Sequence, residues 1–72
     1  MDMAGTVRFR VDKILDDRGI KAEEFADQAG IHYRTALDIV YDRTQRIDKD
    51  TLAKICDALK VTPADVLEYT PG

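Results

Sequence analysis

The fold of this chain is decided by residues 22–40, which read AEEFADQAGIHYRTALDIV. Residues 22–29 begin with two glutamates close to their start and predict a helix, because anionic side chains are favoured near a helix N-terminus. Residues 32–40 carry inward-facing apolar side chains at helical spacing and predict a second helix. A short turn centred on Gly30 separates the two. Glycine adopts the left-handed conformation that such a turn needs, so the helices are predicted to cross steeply.

The sizes of the side chains along this stretch match the requirements of a helix-turn-helix unit. Phe25 is apolar and is predicted to face the core, and Ala26 is small where the two helices come closest. Ala36 and Ile39 are predicted to hold the second of these helices against the core. Each residue type is common by itself. Together with the fixed turn length they predict a helix-turn-helix unit over about 22–40.

The rest of the sequence predicts three more helices and an N-terminal arm. Apolar residues at helical spacing before Gly19 indicate a first helix. Asp48 is the expected N-cap of a fourth helix, and TPAD at residues 62–65 is typical of a fifth, with proline at the first helical position. Residues 6–10 alternate in polarity, which favours an extended arm over a helix. The prediction is an all-α, five-helix single domain over residues 1–72, with the extended arm left open.

Length and composition restrict the class of protein. A chain of 72 residues has room for one modest core and leaves little space for a deep catalytic cleft. Apolar residues make up 44% and charged residues 35% of the sequence, which indicates a globular chain rather than a disordered one. No signal peptide or membrane span is recognisable, and the lone Cys56 excludes an internal disulfide. The expected location is therefore cytoplasmic, with no membrane association.

The charge of the chain argues against nucleic acid as a ligand, but its distribution is uneven. The net charge is −3, whereas most DNA-binding domains carry a basic surplus. The segment 32–46 contains three arginines and two aspartates, which gives +1 and leaves −4 for the remainder. Any binding to nucleic acid is therefore expected to be focused on one face and to weaken strongly with salt.

From about Phe9 to Tyr69 the chain resembles the small Cro- and phage-repressor-type (XRE-like) regulators. It is most similar to a branch of short bacterial regulators that share RIDKDTLAKICDALKVTPADVLEY, here residues 46–69. The resemblance implies a five-helix fold whose third helix enters the DNA major groove, and homodimers that read palindromic operators. Double-stranded DNA and a second copy of the chain are thus the expected partners of a transcriptional regulator. No cofactor, metal or small-molecule ligand is expected.

The resemblance also implies which side chains contact DNA. Base-contacting positions fall on Tyr33, Arg34, Leu37 and Asp38. Phosphate-contacting positions fall on Lys21, His32, Thr35, Arg43, Gln45 and Arg46. At the base edges Arg34 would donate to guanine, Asp38 would accept from a cytosine amine, and Leu37 or Tyr33 would pack on a thymine methyl group. Asp38 is expected to be repelled by phosphate unless a base or Arg34 offsets its charge.

Four positions depart from the family pattern. His32 and Lys21 stand where serine or threonine often caps a helix, so each helix is expected to lose about 1 kcal/mol of capping stabilisation. Tyr41 and Asp42 stand where the repressors commonly have Asn-Gly, so the turn after the third helix is expected to differ. The phosphate contacts of the following loop therefore stay open.

Purely structural interpretations are alternatives to several of these assignments. The three arginines of residues 32–46 could form a solvated face, and Tyr41 more than Tyr33 is expected to cover the edge of the core. Cys56 is expected to be a small buried hydrophobic residue rather than a redox sensor. A lone histidine and a lone cysteine offer neither a metal site nor a nucleophile with its base, so an enzyme is not expected.

Two further points stay open at this level. The negative net charge favours an alternative in which the same fold is an acidic protein-interaction module or an antitoxin-like partner. The surface of the expected homodimer has two candidates. One is the arm at residues 6–10, and the other is the fifth helix with Val66, Leu67 and Tyr69.

Overall fold

The computed structural model describes residues 4–72, which form five helices and one two-stranded antiparallel sheet. The elements are β1 (Thr6–Phe9), α1 (Val11–Arg18), α2 (Ala22–Ala29), α3 (Tyr33–Val40), α4 (Lys49–Leu59), α5 (Pro63–Val66) and β2 (Leu67–Thr70). The five helices and the extended N-terminal arm are confirmed. The fold is helical but not purely all-α, because the arm pairs with the C-terminal residues of the chain.

The sheet joins the two ends of the domain. Thr6 lies opposite Thr70 and Phe9 lies opposite Leu67. The pairing continues one residue further, where the backbone N–H of Arg10 donates to the carbonyl oxygen of Val66 at 2.7 Å. The fifth helix is consequently only one turn long. Leu67 and Tyr69, which the sequence placed on that helix, lie in the second strand instead.

A single hydrophobic core lies between the helices and the inner face of the sheet. Its buried members are Phe9, Val11, Leu15, Phe25, Ala26, Ala29, Ala36, Ile39, Ile55, Leu59 and Val66. Phe25 is the largest of the fully buried side chains, and its helix α2 packs against both α3 and α4. The inward-facing residues predicted for the helix-turn-helix unit are therefore confirmed as core.

The turn between α2 and α3 has the predicted left-handed geometry. Gly30 adopts φ 68°, and the N–H of Ile31 donates back to the carbonyl oxygen of Ala26 at 3.0 Å. A residue with a Cβ atom resists this conformation, which explains the glycine. The bend places α3 across α2 with Ala36 and Ile39 turned inward.

The helix caps agree only in part with the expectation. The loss of a side-chain cap is confirmed at Lys21, where only the reciprocal bond from its backbone N–H to Glu24 Oε1 is made, at 3.1 Å. At His32 the expectation is wrong, because Nδ1 of the imidazole accepts from the N–H of Arg34 at 3.1 Å. Hydrogen bonds from Thr51 lower the pKa of the expected N-cap Asp48, so this cap is ionised at neutral pH.

Candidate nucleic-acid interface

The outward face of α3 brings together three of the four side chains predicted to contact bases. Ala36 and Ile39 are buried on the inner side of the helix, so Arg34, Leu37 and Asp38 emerge on the opposite side. These three residues line one shallow surface depression of about 410 Å³. A helix with this exposed face has the shape and the donor and acceptor groups that a DNA major groove accommodates.

Tyr33, the fourth predicted base-contacting residue, lies apart from the other three. Its side chain is 46% exposed and lines a separate depression beside α2, together with Ile31 and the acidic residues Glu23 and Asp27. The ring therefore lies on the flank of α3, at the junction of the two helices. It does not line the depression that holds Arg34 and Asp38.

Arg43 joins the outward face of α3 although it follows the helix in sequence. Its side chain lines the same depression as Arg34, Leu37 and Asp38. Nη2 of Arg43 lies 3.2 Å from Oδ1 of Asp38, and its guanidinium carbon lies 5.3 Å from the centre of the Tyr41 ring. The charge of Asp38 is thus offset by Arg43, a partner that the sequence interpretation did not consider.

The turn after α3 determines the backbone position of Arg43. Asp42 adopts φ 55°, a left-handed conformation that aspartate and asparagine tolerate better than most residues. Its Oδ1 accepts from the backbone N–H of Phe9 at 3.1 Å, which ties the turn to the first strand. The N–H of Arg43 donates to the carbonyl oxygen of Asp38 at 2.7 Å. An aspartate therefore takes the place that glycine has in the repressor pattern.

The expectation for Tyr41 is wrong. Its side chain is 64% exposed and lies beneath Arg43 instead of covering the core.

The residues predicted to contact phosphate are distributed over three places. Lys21 is exposed at the start of α2, and Thr35 is exposed on α3. The imidazole of His32 is engaged as the cap of α3. Gln45 and Arg46 are exposed in the loop before α4, where they line a small groove of about 180 Å³ beside the sheet. These last two lie away from the depression that holds Arg34.

A family model for the Cro/C1-type helix-turn-helix DNA-binding domain matches residues 10–72. The chain belongs to this family. The resemblance to the Cro and phage-repressor regulators is therefore confirmed, and DNA binding is the function of this Cro/C1-type domain. A comparison with curated proteins finds no match.

Two solved structures share the fold of this Cro/C1-type domain. One is the crystal structure of a candidate DNA-binding protein from Bacteroides fragilis, with 21% identity and a TM-score of 0.73 over 88% of this chain and 100% of the other. The other is the transcriptional regulator VanUg, with 22% identity and a TM-score of 0.75 over 99% of this chain and 93% of the other. At this level of identity the two similarities establish the fold.

Three other features of the Cro/C1-type domain concern the reactivity of its cysteine, metal binding and membrane-spanning helices. Cys56 is half-buried and packs against the core, and burial raises the pKa of its thiol, with contributions from Asp57 and Asp65. A raised pKa disfavours the reactive thiolate. Among residues 4–72 no group of three or more potential metal ligands is found. None of the helices within residues 4–72 could span a lipid bilayer.

Proposed function

We propose that this chain is a transcriptional regulator that binds double-stranded DNA sequence-specifically, with α3 in the major groove. The observation that carries the proposal is the division of α3 into a buried side and an outward side. Ala36 and Ile39 hold the helix on the core, while Arg34, Leu37 and Asp38 stand on the outward face. Both structural neighbours, one described as a candidate DNA-binding protein and the other as a transcriptional regulator, agree with this role.

Within the groove, each exposed side chain matches one chemical feature of the bases or the backbone. Arg34 donates to the O6 and N7 acceptors of a guanine, and Leu37 packs against a thymine methyl group. Tyr33 reaches a flanking position from the side of α2. The side chains that contact phosphate and fix the register are Lys21, His32, Thr35, Gln45 and Arg46. The protein acts by binding and carries out no catalysis.

Replacing Arg34 by alanine is expected to remove the preference for guanine at one base pair of each half-site. The loss should be about 5- to 150-fold at that pair, because a bidentate contact to a base discriminates by ~1–3 kcal/mol. The measurement is selection of bound duplexes from a random pool, performed with the wild-type chain and with Arg34→Ala.

Arg46→Ala is the matched control, since it removes the same positive charge from the exposed loop beside the sheet. Loss of a phosphate contact should weaken binding to all sequences alike and lower the salt slope by about 1. An Arg34→Ala variant that selects the wild-type sequences would remove Arg34 from the set of base-reading residues.

The second candidate function is an acidic protein-interaction module or an antitoxin-like partner on the same fold. The net charge of −3 favours it, as does the position of Glu23 and Asp27 beside Tyr33 at the start of α3. A gel shift with random duplex at low salt separates the two functions. A DNA-binding domain should bind weakly and lose the complex as salt rises, whereas the interaction module should not bind at all.

A homodimer completes the proposal, and the sheet is its contact surface. Val7 and Tyr69 lie opposite each other across the strands and are 62% and 66% exposed. They share the sheet face of the buried Phe9, so they extend the core-facing side beyond the core. The hydrogen-bond alternation also directs the N–H and C=O of Tyr69 away from β1, which leaves this edge free for a second copy. Two α3 helices about 34–36 Å apart would then read the two half-sites.

The variant Tyr69→Glu is expected to be monomeric, because two carboxylates and the loss of two aromatic rings would oppose the contact between copies. Sedimentation equilibrium measures the association state, and the affinity for a selected palindromic site should fall with it. Thr6→Glu places the same charge on the opposite face of the sheet and should leave the dimer intact. Dimerisation of Tyr69→Glu with wild-type affinity would place the contact elsewhere.

A further inference from the structure

We propose that Asp38 and Arg43 act as one recognition unit, in which Asp38 is a positioning residue and Arg43 is the side chain that contacts a guanine. The inference rests on the proposed function of α3 as the DNA-reading helix. It changes the role of both residues, since Asp38 was assigned to cytosine and Arg43 to phosphate.

The first observation is the place of the Arg43 side chain. It is folded back onto the outward face of α3, where it lines the same depression as Arg34, Leu37 and Asp38. Arg46, the next arginine of the loop, points instead into the groove beside the sheet. Of the two loop arginines, only Arg43 is therefore directed at the surface that would face the base edges.

The second observation is that Arg43 is held at three points. Its Nη2 lies 3.2 Å from Asp38 Oδ1, and its guanidinium carbon lies 5.3 Å from the ring centre of Tyr41. Its backbone N–H donates to the carbonyl oxygen of Asp38 at 2.7 Å. A guanidinium that is already oriented loses less rotamer entropy when it forms its bonds to a base. This arrangement favours specific contact over a loose contact to phosphate.

The third observation is that the side chain of Arg43 is exposed and has donors that the contact with Asp38 does not use. The side chain of Arg43 is 53% exposed and that of Asp38 is 38% exposed, so Arg43 is the more accessible side chain of the pair. A guanidinium has five N–H donors, and the contact with Asp38 is made by one nitrogen. The remaining donors suffice for the two acceptors of guanine, O6 and N7.

The pairing also resolves an electrostatic conflict. A free carboxylate on the reading helix would be repelled by the phosphates on both sides of the groove. The ion pair of Asp38 and Arg43 carries no net charge into the groove, and the carboxylate keeps the arginine in the orientation described above. Asp38 thus contributes to specificity through Arg43 and without a base contact of its own.

The test uses the full chain and selection from a random duplex pool at two salt concentrations, with the variants Arg43→Lys, Asp38→Ala and the double variant Asp38→Ala/Arg43→Lys. Arg43→Lys keeps the charge and removes the planar fork. We expect it to reduce the preference at one base pair of each half-site by about 5- to 150-fold while the salt slope is unchanged. Asp38→Ala should flatten the preference at the same base pair, and the double variant should match either single variant within about twofold.

Two outcomes would overturn the inference. Uniform weakening on all sequences by an additional Arg43→Ala variant, with preserved preferences, would make Arg43 a phosphate contact. Loss of a cytosine preference in Asp38→Ala at a base pair that Arg43→Lys leaves unchanged would make Asp38 a direct reader. Both outcomes leave the proposed function standing, because the wild-type chain still selects a site. A wild-type chain that binds no duplex at low salt would overturn the proposed function and this inference together. Thermal unfolding of each variant verifies that these exposed substitutions leave the fold intact.

Discussion

Replacing Phe25 by alanine is expected to lower the free energy of unfolding by about 3–5 kcal/mol, the usual range for removal of a buried aromatic ring. Phe25 is fully buried in α2, which packs against both α3 and α4. A domain of this length is stabilised by roughly 4–11 kcal/mol in total, so the substitution removes a large share of it. Urea unfolding followed by circular dichroism measures the change.

The matched control is Phe25→Leu, which keeps a large apolar side chain in the same space. Its expected cost is smaller, about 1–2 kcal/mol, because most of the buried area is retained. We also expect Phe25→Ala to lose DNA binding at temperatures where Phe25→Leu retains it, since α2 supports the helix that presents Arg34. A loss below about 1 kcal/mol in Phe25→Ala would contradict the role of this side chain as the centre of the core.

Replacing Asp42 by alanine is expected to cost about 2–3 kcal/mol of stability, a large effect for an exposed residue. Two contributions add up. Alanine tolerates the left-handed φ of 55° less well than aspartate, and the backbone N–H of Phe9 loses the acceptor Oδ1 at 3.1 Å. Thermal or urea unfolding at constant pH measures the loss.

Two further substitutions separate these contributions. Asp42→Gly keeps the backbone conformation and loses the acceptor, so its cost should lie between those of wild type and Asp42→Ala. Asp42→Asn keeps both a side-chain oxygen and a tolerance for left-handed φ, and it should stay within about 1 kcal/mol of wild type. Equal stability of Asp42→Gly and wild type would show that the bond to Phe9 contributes no more than the backbone strain that glycine relieves. We also expect Asp42→Ala to lower DNA selectivity, because the turn that carries Arg43 is released from the first strand.

Features set by neighbouring residues were predictable from the sequence. The helix-turn-helix unit depends on Gly30 in its turn and on the spacing of Phe25, Ala36 and Ile39, all within one short stretch. The outward position of Arg34, Leu37 and Asp38 follows from the same periodicity. These properties depend on residues that are close in the sequence, so the pattern of side-chain sizes predicts them.

Features that join distant parts of the chain were not predicted from the sequence, or were predicted only in part. The alternation at residues 6–10 indicated an extended arm, but its partner strand lies at the other end of the sequence. Arg10 and Ala64, which share a hydrogen bond at the end of the sheet, are 54 positions apart. β2 begins directly after α5 with no turn residue between them, so its residues were assigned to the preceding helix.

The candidate site likewise has some features that the sequence predicted and others that it did not. The sequence pointed to Asp38 and Arg43 separately, one as a base contact and one as a phosphate contact. Their ion pair depends on the turn at Asp42, where an aspartate supplies the backbone conformation that the family pattern assigns to glycine. The capping role of His32 was likewise missed, because Nδ1 of a histidine is an uncommon acceptor at a helix start.

By itself the sequence determined the helix-turn-helix unit, the inward and outward faces of its second helix, and membership of a DNA-binding family. Helical periodicity and turn chemistry act between residues a few positions apart, and they are written directly in the order of side chains. Only the tertiary structure decided that the two termini form a sheet and that Arg43 lies over α3 beside Asp38. The sheet depends on how the chain returns on itself, and the position of Arg43 depends on the turn at Asp42, which is hydrogen-bonded to Phe9, 33 positions away. Contacts between such distant segments gain their free energy from packing that no local pattern encodes.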